Sequence, residues 1–168
     1  TMIVERSYFA QYVAHAPSEP HTAVVRVDGN KAEVWASTQS PFRAQQEIAK
    51  TLGLDVPNVR VRAPLVGGGF GGKQEVFCED VAAHLTIATG RPVRFEYSRE
   101  EEFVASRSRH PMRVRVKTGV KRDGTITANE MVVLSDTGAY GSHAMTVAGN
   151  CGHKSMALYV GDGEFRKS

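Results

Sequence analysis

The sequence predicts an α+β fold: a mixed β-sheet with hairpins and two main helices. Three observations carry that expectation. Short runs are rich in apolar residues or alternate them with polar ones, two longer stretches repeat apolar residues at helical spacing, and Asp, Gly and Asn sit between paired runs. At 168 residues the chain suffices for one domain with a substantial core, or for part of a larger one. A content of 41% hydrophobic and 23% charged residues excludes a disordered chain.

Taken in order, residues 1–21 form an extended lead-in. The prolines of Ala14-His15-Ala16-Pro17-Ser18-Glu19-Pro20-His21 argue for extended or turning backbone rather than helix. Thr22 to Val27 and Ala32 to Ala36 flank Asp28-Gly29-Asn30, a hairpin with suitable turn chemistry. Ser40-Pro41 offers an N-cap and a first-turn proline; Ala44, Ile48, Ala49 and Leu52 follow at helical spacing, and Gly53 ends the helix. Asn58 to Ala63 is strand-like and leads into a glycine cluster. Beyond it, Phe77, Val81, Leu85 and Ala88 form the apolar stripe of a second helix, which contains Cys78 as a small buried hydrophobe and ends near Gly90. Pro92 to Tyr97 is strand-like. Met112 to Val120 and Thr125 to Leu134 form a long hairpin through Arg122-Asp123-Gly124, and the alternation of Val114 and Val116 with Arg113, Arg115 and Lys117 predicts one buried and one wet face. The expected division is therefore a lead-in (1–21), a partial domain (22–141) and an irregular, truncated C-terminal segment (142–168).

A net charge of +3, spread along the chain, argues against nucleic-acid or membrane-surface binding. No apolar run reaches the roughly 18 residues of a membrane span. Cys78 and Cys151 are too far apart for a paired metal motif, and Cys151-Gly152-His153 is a single close pair, more often chance than a ligand set. A cytoplasmic protein is expected, and no direct metal ligand is assigned.

The sharpest feature is Gly67-Gly68-Gly69-Phe70-Gly71-Gly72-Lys73-Gln74, with five glycines in six positions between a strand and a helix. Such a loop can turn several backbone N–H groups toward an anion. Three readings stay open. Gly67, Gly72 and Lys73 fit most of a phosphate-binding loop, but Gln74 replaces the Ser or Thr that would hold magnesium. Gly67, Gly69 and Gly72 also fit a dinucleotide fingerprint, without a regular βαβ repeat around it. The third reading is a tight packing loop.

The order of several motifs adds to this. Ser37-Thr38-Gln39-Ser40-Pro41, a helix, Val61 to Val66 and the glycine-phenylalanine loop resemble the molybdenum hydroxylases, the xanthine dehydrogenase and aldehyde oxidase family. Ala16 to His21 looks like that family's opening motif, with Ser18 where leucine is usual. Arg109-His110-Pro111-Met112 and Asp136-Thr137-Gly138-Ala139-Tyr140-Gly141 follow in the same order, and the resemblance runs to about Tyr159. It implies part of a molybdopterin-binding domain. It also implies that Gln39 hydrogen-bonds an oxo ligand of molybdenum, and that the backbone around Gly68, Gly69, Phe70 and Gly71 lies near that ligand and the pterin. The implied cofactor is molybdenum–molybdopterin in its cytosine dinucleotide form. Iron–sulfur clusters and FAD are implied on partner domains or subunits.

The sequence departs from the family in two places. Purine-oxidising members have glutamate where Gln74 stands, on the substrate side, and an arginine that the stretch Met145 to Asn150 lacks. The expected reaction is therefore hydroxylation of a heteroaromatic or aldehyde carbon, with purines disfavoured. The family's general-base glutamate lies near the end of a chain several times longer, so this chain is expected to be a fragment, inactive in isolation, needing the remainder of the molybdenum subunit. Glu75 would point about 100° from Gln74 on a helix, and Glu79 and Asp80 are expected to face solvent. No catalytic residue is assigned.

Overall fold

The computed structural model describes residues 1–156. In chain order its elements are β1 (Met2–Ala10), β2 (Val13–Ala14), β3 (Thr22–Asp28), β4 (Lys31–Ala36), α1 (Pro41–Leu52), a 3-10 turn (Val56–Asn58), β5 (Val59–Arg62), α2 (Glu79–Thr89), β6 (Val93–Glu96), α3 (Arg99–Ala105), β7 (Ser108–Arg109), β8 (Met112–Val120), β9 (Ile126–Ser135) and α4 (Ala144–Met156). The fold is α+β, and its described residues divide into two compact units: residues 14–108, and residues 1–13 with 109–156. The lead-in is thus shared between units. Residues 2–10 form β1, which pairs antiparallel with β8.

In the unit 14–108 the sheet order is β5-β4-β3-β6. β3 pairs antiparallel with both β4 and β6, whereas β4 and β5 are parallel, joined across α1. The hairpin and α1 form where the turn residues and the helical spacing place them. Alternation puts Ala23, Val25, Val34, Ala36 and Val59 on one face, where they meet Ile48 and Ala49 of α1 and Ala82 and Ala83 of α2. Each fully buried Val or Ile contributes about 1.5–3 kcal/mol. The other face carries Arg26, Glu33, Arg60, Arg62 and Arg94 and stays wet.

Several expectations are corrected. Ser40 makes no side-chain cap on α1; instead Thr38 Oγ1 accepts the Ser40 N–H at 3.0 Å. The stripe expected to bury α2 points outward: Val81 and Leu85 are 38% and 41% exposed. Its buried positions are Glu79, Ala82, Ala83 and Thr86, because small residues let the helix lie close on β3. Cys78 is buried as expected but precedes the helix as its N-cap. Two helices were not foreseen. α3 begins with a capping box, Ser98 Oγ accepting the Glu101 N–H while Glu101 Oε2 accepts the Ser98 N–H. α4 occupies Ala144–Met156, in the stretch expected to be irregular.

In the other unit β1, β8 and β9 form an antiparallel sheet with β8 central. The alternation along β8 is present, but its apolar positions are only half-buried. α4 packs on β9, where Ser155 Oγ lies 3.8 Å from Met131 Sδ. The expected runout from Gly161 to Ser168 lies outside the described residues. Among the described residues no helix is long and apolar enough to cross a membrane.

Candidate functional site

Because β4 and β5 run parallel as neighbours, their carboxyl ends open side by side. Ligand sites of open α/β sheets gather at such ends. From β4 the chain continues into Ser37-Thr38-Gln39, and from β5 into the glycine loop. The two segments meet through main chain and side chain. The Gln39 N–H donates to Lys73 O at 2.7 Å, and Thr38 Oγ1 donates to the same carbonyl at 3.3 Å. Gln39 Oε1 accepts the N–H groups of Gly71 at 3.0 Å and Lys73 at 3.3 Å. Within the loop, the Gly72 N–H donates to Gly69 O at 2.7 Å.

Gly69 and Gly71 are among the glycines this geometry requires. A Cβ on Gly69 would collide with the Gln39 carboxamide, and Gly71 has φ +93°, which L side chains rarely adopt. Between them Phe70 is held at φ +52° and is 63% exposed as a residue, an unusual backbone for a large side chain. The N–H groups of Gly68, Gly69 and Phe70, and Gln39 Nε2, have no acceptor among the described residues.

Lys73 is turned the other way. It is wholly buried, and its ammonium donates to Glu19 O at 2.7 Å, Ser37 Oγ at 2.6 Å and Glu19 Oε2 at 3.1 Å. An ammonium has three donors, and all are engaged. The phosphate-loop reading fails on this point, since its lysine must reach the phosphates. It also fails because α2 starts only at Glu79, not directly after the loop. Glu19 in turn accepts the Gly67 N–H at 2.7 Å and the Ser37 hydroxyl at 2.6 Å. Burial opposes its ionisation, but Ser37, the Gly67 N–H and the Lys73 ammonium outweigh that and hold the carboxyl below its ordinary value.

A second buried pair lies beneath the loop. The His21 main-chain N–H donates to Glu102 Oε2 at 2.8 Å, and its Nδ1 reaches both carboxylate oxygens at 2.9 Å. His21 Nε2 faces Gly72 O at 3.2 Å. Both ring nitrogens thus lie within hydrogen-bond distance of oxygen atoms that can accept, Nδ1 at the Glu102 carboxylate and Nε2 at the Gly72 carbonyl. Burial pushes the Glu102 carboxyl up, but the His21 contacts and Lys73 more than reverse this and leave it lowered.

The remaining sequence-selected residues lie close by in the chain but differ in setting. Gln74 is half-buried in a bend. Glu75 is in the same bend, not on a helix, and accepts from Arg107 Nε at 2.8 Å, so the helical-angle argument does not apply. Asp80 is partly exposed, its Oδ1 accepting the Val81 N–H. Glu79, expected to face solvent, is 3% exposed. Its Oε2 accepts the N–H groups of Phe77 and Cys78, and burial raises its carboxyl above the ordinary value.

Sequence reasoning gave no role to Glu19, His21, Ser37, Lys73 and Glu102 as a set, nor to His15. The His15 ring would be crowded by a Cβ on Gly72, and its Nδ1 lies 3.1 Å from Arg107 O. The one available signal was the density of polar residues in Glu19-Pro20-His21 and Ser37-Thr38.

The chain is similar to known proteins. The model of the molybdopterin cofactor-binding domain matches residues 1–162. The chain is 43% identical over 161 residues to the probable hypoxanthine oxidase XdhD of Escherichia coli (strain K12), covering 96% of this chain and 17% of that protein. It is 36% identical to the nicotinate dehydrogenase large molybdopterin subunit of Eubacterium barkeri, covering 95% of this chain and 38% of that one. The aldehyde oxidoreductase structure from Desulfovibrio gigas superposes with a TM-score of 0.74 at 29% identity, over 84% of this chain and 16% of that one. The chain thus spans about a sixth of the XdhD relative.

Proposed function

The chain belongs to the molybdopterin cofactor-binding domain family, and we propose that Gln39 with Gly68, Gly69, Phe70 and Gly71 is its contribution to holding that cofactor. The observation behind this reading is the set of unspent donors: the N–H groups of Gly68, Gly69 and Phe70, beside Gln39 Nε2, all without acceptors among the described residues. Amide donors suit an oxygen- and sulfur-rich anionic group, since they hold it without adding a competing metal ligand. The Gly71 N–H is committed to Gln39 Oε1, so Gly71 orients the carboxamide with its Nε2 free. Lack of a Cβ at Gly69 lets loop and carboxamide approach closely.

The whole protein of which this chain is part is proposed to be a molybdenum hydroxylase. When bound, the molybdenum–pterin group supplies the redox chemistry that transfers a water-derived hydroxyl to an electrophilic carbon. The cytosine dinucleotide form is proposed, with iron–sulfur and flavin centres on partner domains or subunits. Other segments of the molybdenum subunit would supply the general base and the remaining cofactor contacts, and the fragment alone is proposed to be inactive. The substrate class is a heteroaromatic or an aldehyde. Gln74 argues against purines, yet the similarity to a probable hypoxanthine oxidase keeps them among the heteroaromatics to assay. Two free cysteines suit a reducing compartment, and the cytoplasm is the proposed location.

The test is elemental analysis and pterin fluorescence on the full-length protein from molybdate-supplied cells, followed by turnover of nicotinate, hypoxanthine and aromatic aldehydes. Stoichiometric molybdenum that falls in Gln39→Ala is expected. Full-length protein without molybdenum or pterin overturns the reading.

A further inference from the structure

We infer that two ties, the Glu19–Lys73 ion pair with its buried ammonium and the buried His21–Glu102 pair, set the shape of the glycine loop before any ligand arrives, making these four side chains positioning residues for the cofactor cradle. The inference rests on the cofactor reading above and assigns a task to groups that reading leaves unused.

Lys73 is fully buried, and His21 and Glu102 are 3% and 2% exposed. Burying charge is unfavourable unless each group is paired and hydrogen-bonded, and an apolar pair of similar volume would stabilise a fold as well or better. What charged groups add is direction. Each contact here fixes a particular atom of the loop. Glu19 clamps Gly67 from both sides, its main-chain N–H donating to Gly67 O at 3.0 Å and its Oε2 accepting the Gly67 N–H at 2.7 Å. Lys73 returns from the loop's far end to the same Glu19, through its carbonyl and carboxylate. The first and last residues of the loop are therefore tied to one residue. His21 Nε2 holds the Gly72 carbonyl, and Glu102 fixes the His21 ring by both carboxylate oxygens. Ser37, two residues before Gln39, bridges Lys73 and Glu19. The staple therefore also sets the segment that carries Gln39.

The residues left outside these ties are Gly68, Gly69 and Phe70, whose N–H groups are free among the described residues. Fixed ends and an open tip make a cradle whose donors need no reordering on binding, and supporting contacts of this kind are typically worth 10–100-fold in affinity for a bound metal group.

The experiment uses full-length protein carrying Glu19→Gln, Lys73→Met, or both, with three readouts: melting temperature, molybdenum and pterin per protein, and amide hydrogen exchange of residues 66–73 in cofactor-free protein from molybdate-starved cells. Each single variant should lose melting temperature, Glu19→Gln the more, because it leaves the buried Lys73 ammonium without its counter-ion, whereas Lys73→Met leaves a carboxylate that is a third exposed. The double variant should recover much of that loss, yet exchange faster through the loop and hold about 10-fold less cofactor. A double variant that regains both loop protection and cofactor shows the pair to be structural only and overturns the inference. Ser37→Ala removes a partner from Lys73 and Glu19 without changing charge and serves where the others unfold; faster loop exchange at unchanged melting temperature supports the inference, and unchanged exchange overturns it. If wild-type protein holds no molybdenum, the cofactor reading fails by itself, and loop exchange in the double variant still decides whether the staple shapes the loop.

Discussion

His21 and Glu102 meet twice: the main-chain N–H of His21 donates to Glu102 Oε2 at 2.8 Å, and its ring Nδ1 lies 2.9 Å from both carboxylate oxygens. The carboxylate comes from α3, 81 residues along the chain. Removing one member of such a pair leaves the other buried without a counterpart. Glu102→Ala is expected to cost about 3–5 kcal/mol, measured by urea unfolding. Glu102→Gln, which keeps an acceptor, should cost less. Equal, small losses in both variants would contradict a buried pair in which each member depends on the other.

The carboxyls of the site respond to pH with opposite signs. Glu19 and Glu102 are held below their ordinary values, so the stability they supply is complete above the unfolded carboxyl value of about 4.3 and is lost as pH falls through their folded values. Glu79 is raised by burial, so its folded state favours the protonated form, and that contribution is lost as pH rises through its folded value. Glu79→Gln keeps an acceptor for the Phe77 and Cys78 N–H groups. It should raise the melting temperature at about pH 7 and lose that gain on acidification, as thermal melts along a pH series would show. A gain independent of pH would refute the assignment.

Gly69→Ala isolates the approach of loop and carboxamide. The new Cβ would strike Gln39, while φ at this position is not in the left-handed region, so backbone strain plays no part. A loss of about 1–3 kcal/mol is expected from overpacking, together with reduced molybdenum content. In Gly69→Ala with Gln39→Ala, stability should return but cofactor content should not. Recovery of both would show that Gln39 does not contribute to cofactor binding.

α3 is short, and its capping box anchors the helix that presents Glu102. Ser98→Ala should cost about 1 kcal/mol. The same variant should raise hydrogen exchange at His21, whose N–H depends on Glu102. Calorimetry and exchange mass spectrometry read the two effects, and a helix loss with His21 unaffected would separate them.

Much of the sheet and α1 was legible from local chemistry: Asp28-Gly29-Asn30 at the hairpin, Pro41 opening the helix and Gly53 closing it. The pairing of Gln39 with the glycine loop came from motif order, and the structure brings the two within hydrogen-bond distance. Other features were misread for identifiable reasons. The large apolar residues of α2 looked like its core face, but small residues win where a helix lies close on a sheet, so Ala82, Ala83 and Thr86 are inside. Glu79 looked solvated because charge in a sequence normally means exposure, Lys73 looked like a phosphate-loop lysine, and Glu102 carried no local signal; only tertiary partners make the burial of all three tolerable. The capping box Ser98-Arg99-Glu100-Glu101 was present and overlooked. α4 contains Gly149 and Gly152, which blurred its periodicity.

The parallel pairing of β4 with β5 has a kinetic consequence. Gln39 and Gly71 are 32 residues apart in sequence, and the crossover through α1 must close before they can touch. Non-local closures of this kind form late, after nearby contacts have condensed. A spectroscopic probe at position 39 would therefore time the last stage of maturation in this unit, dark while the hairpin and helix assemble and bright once the crossover locks.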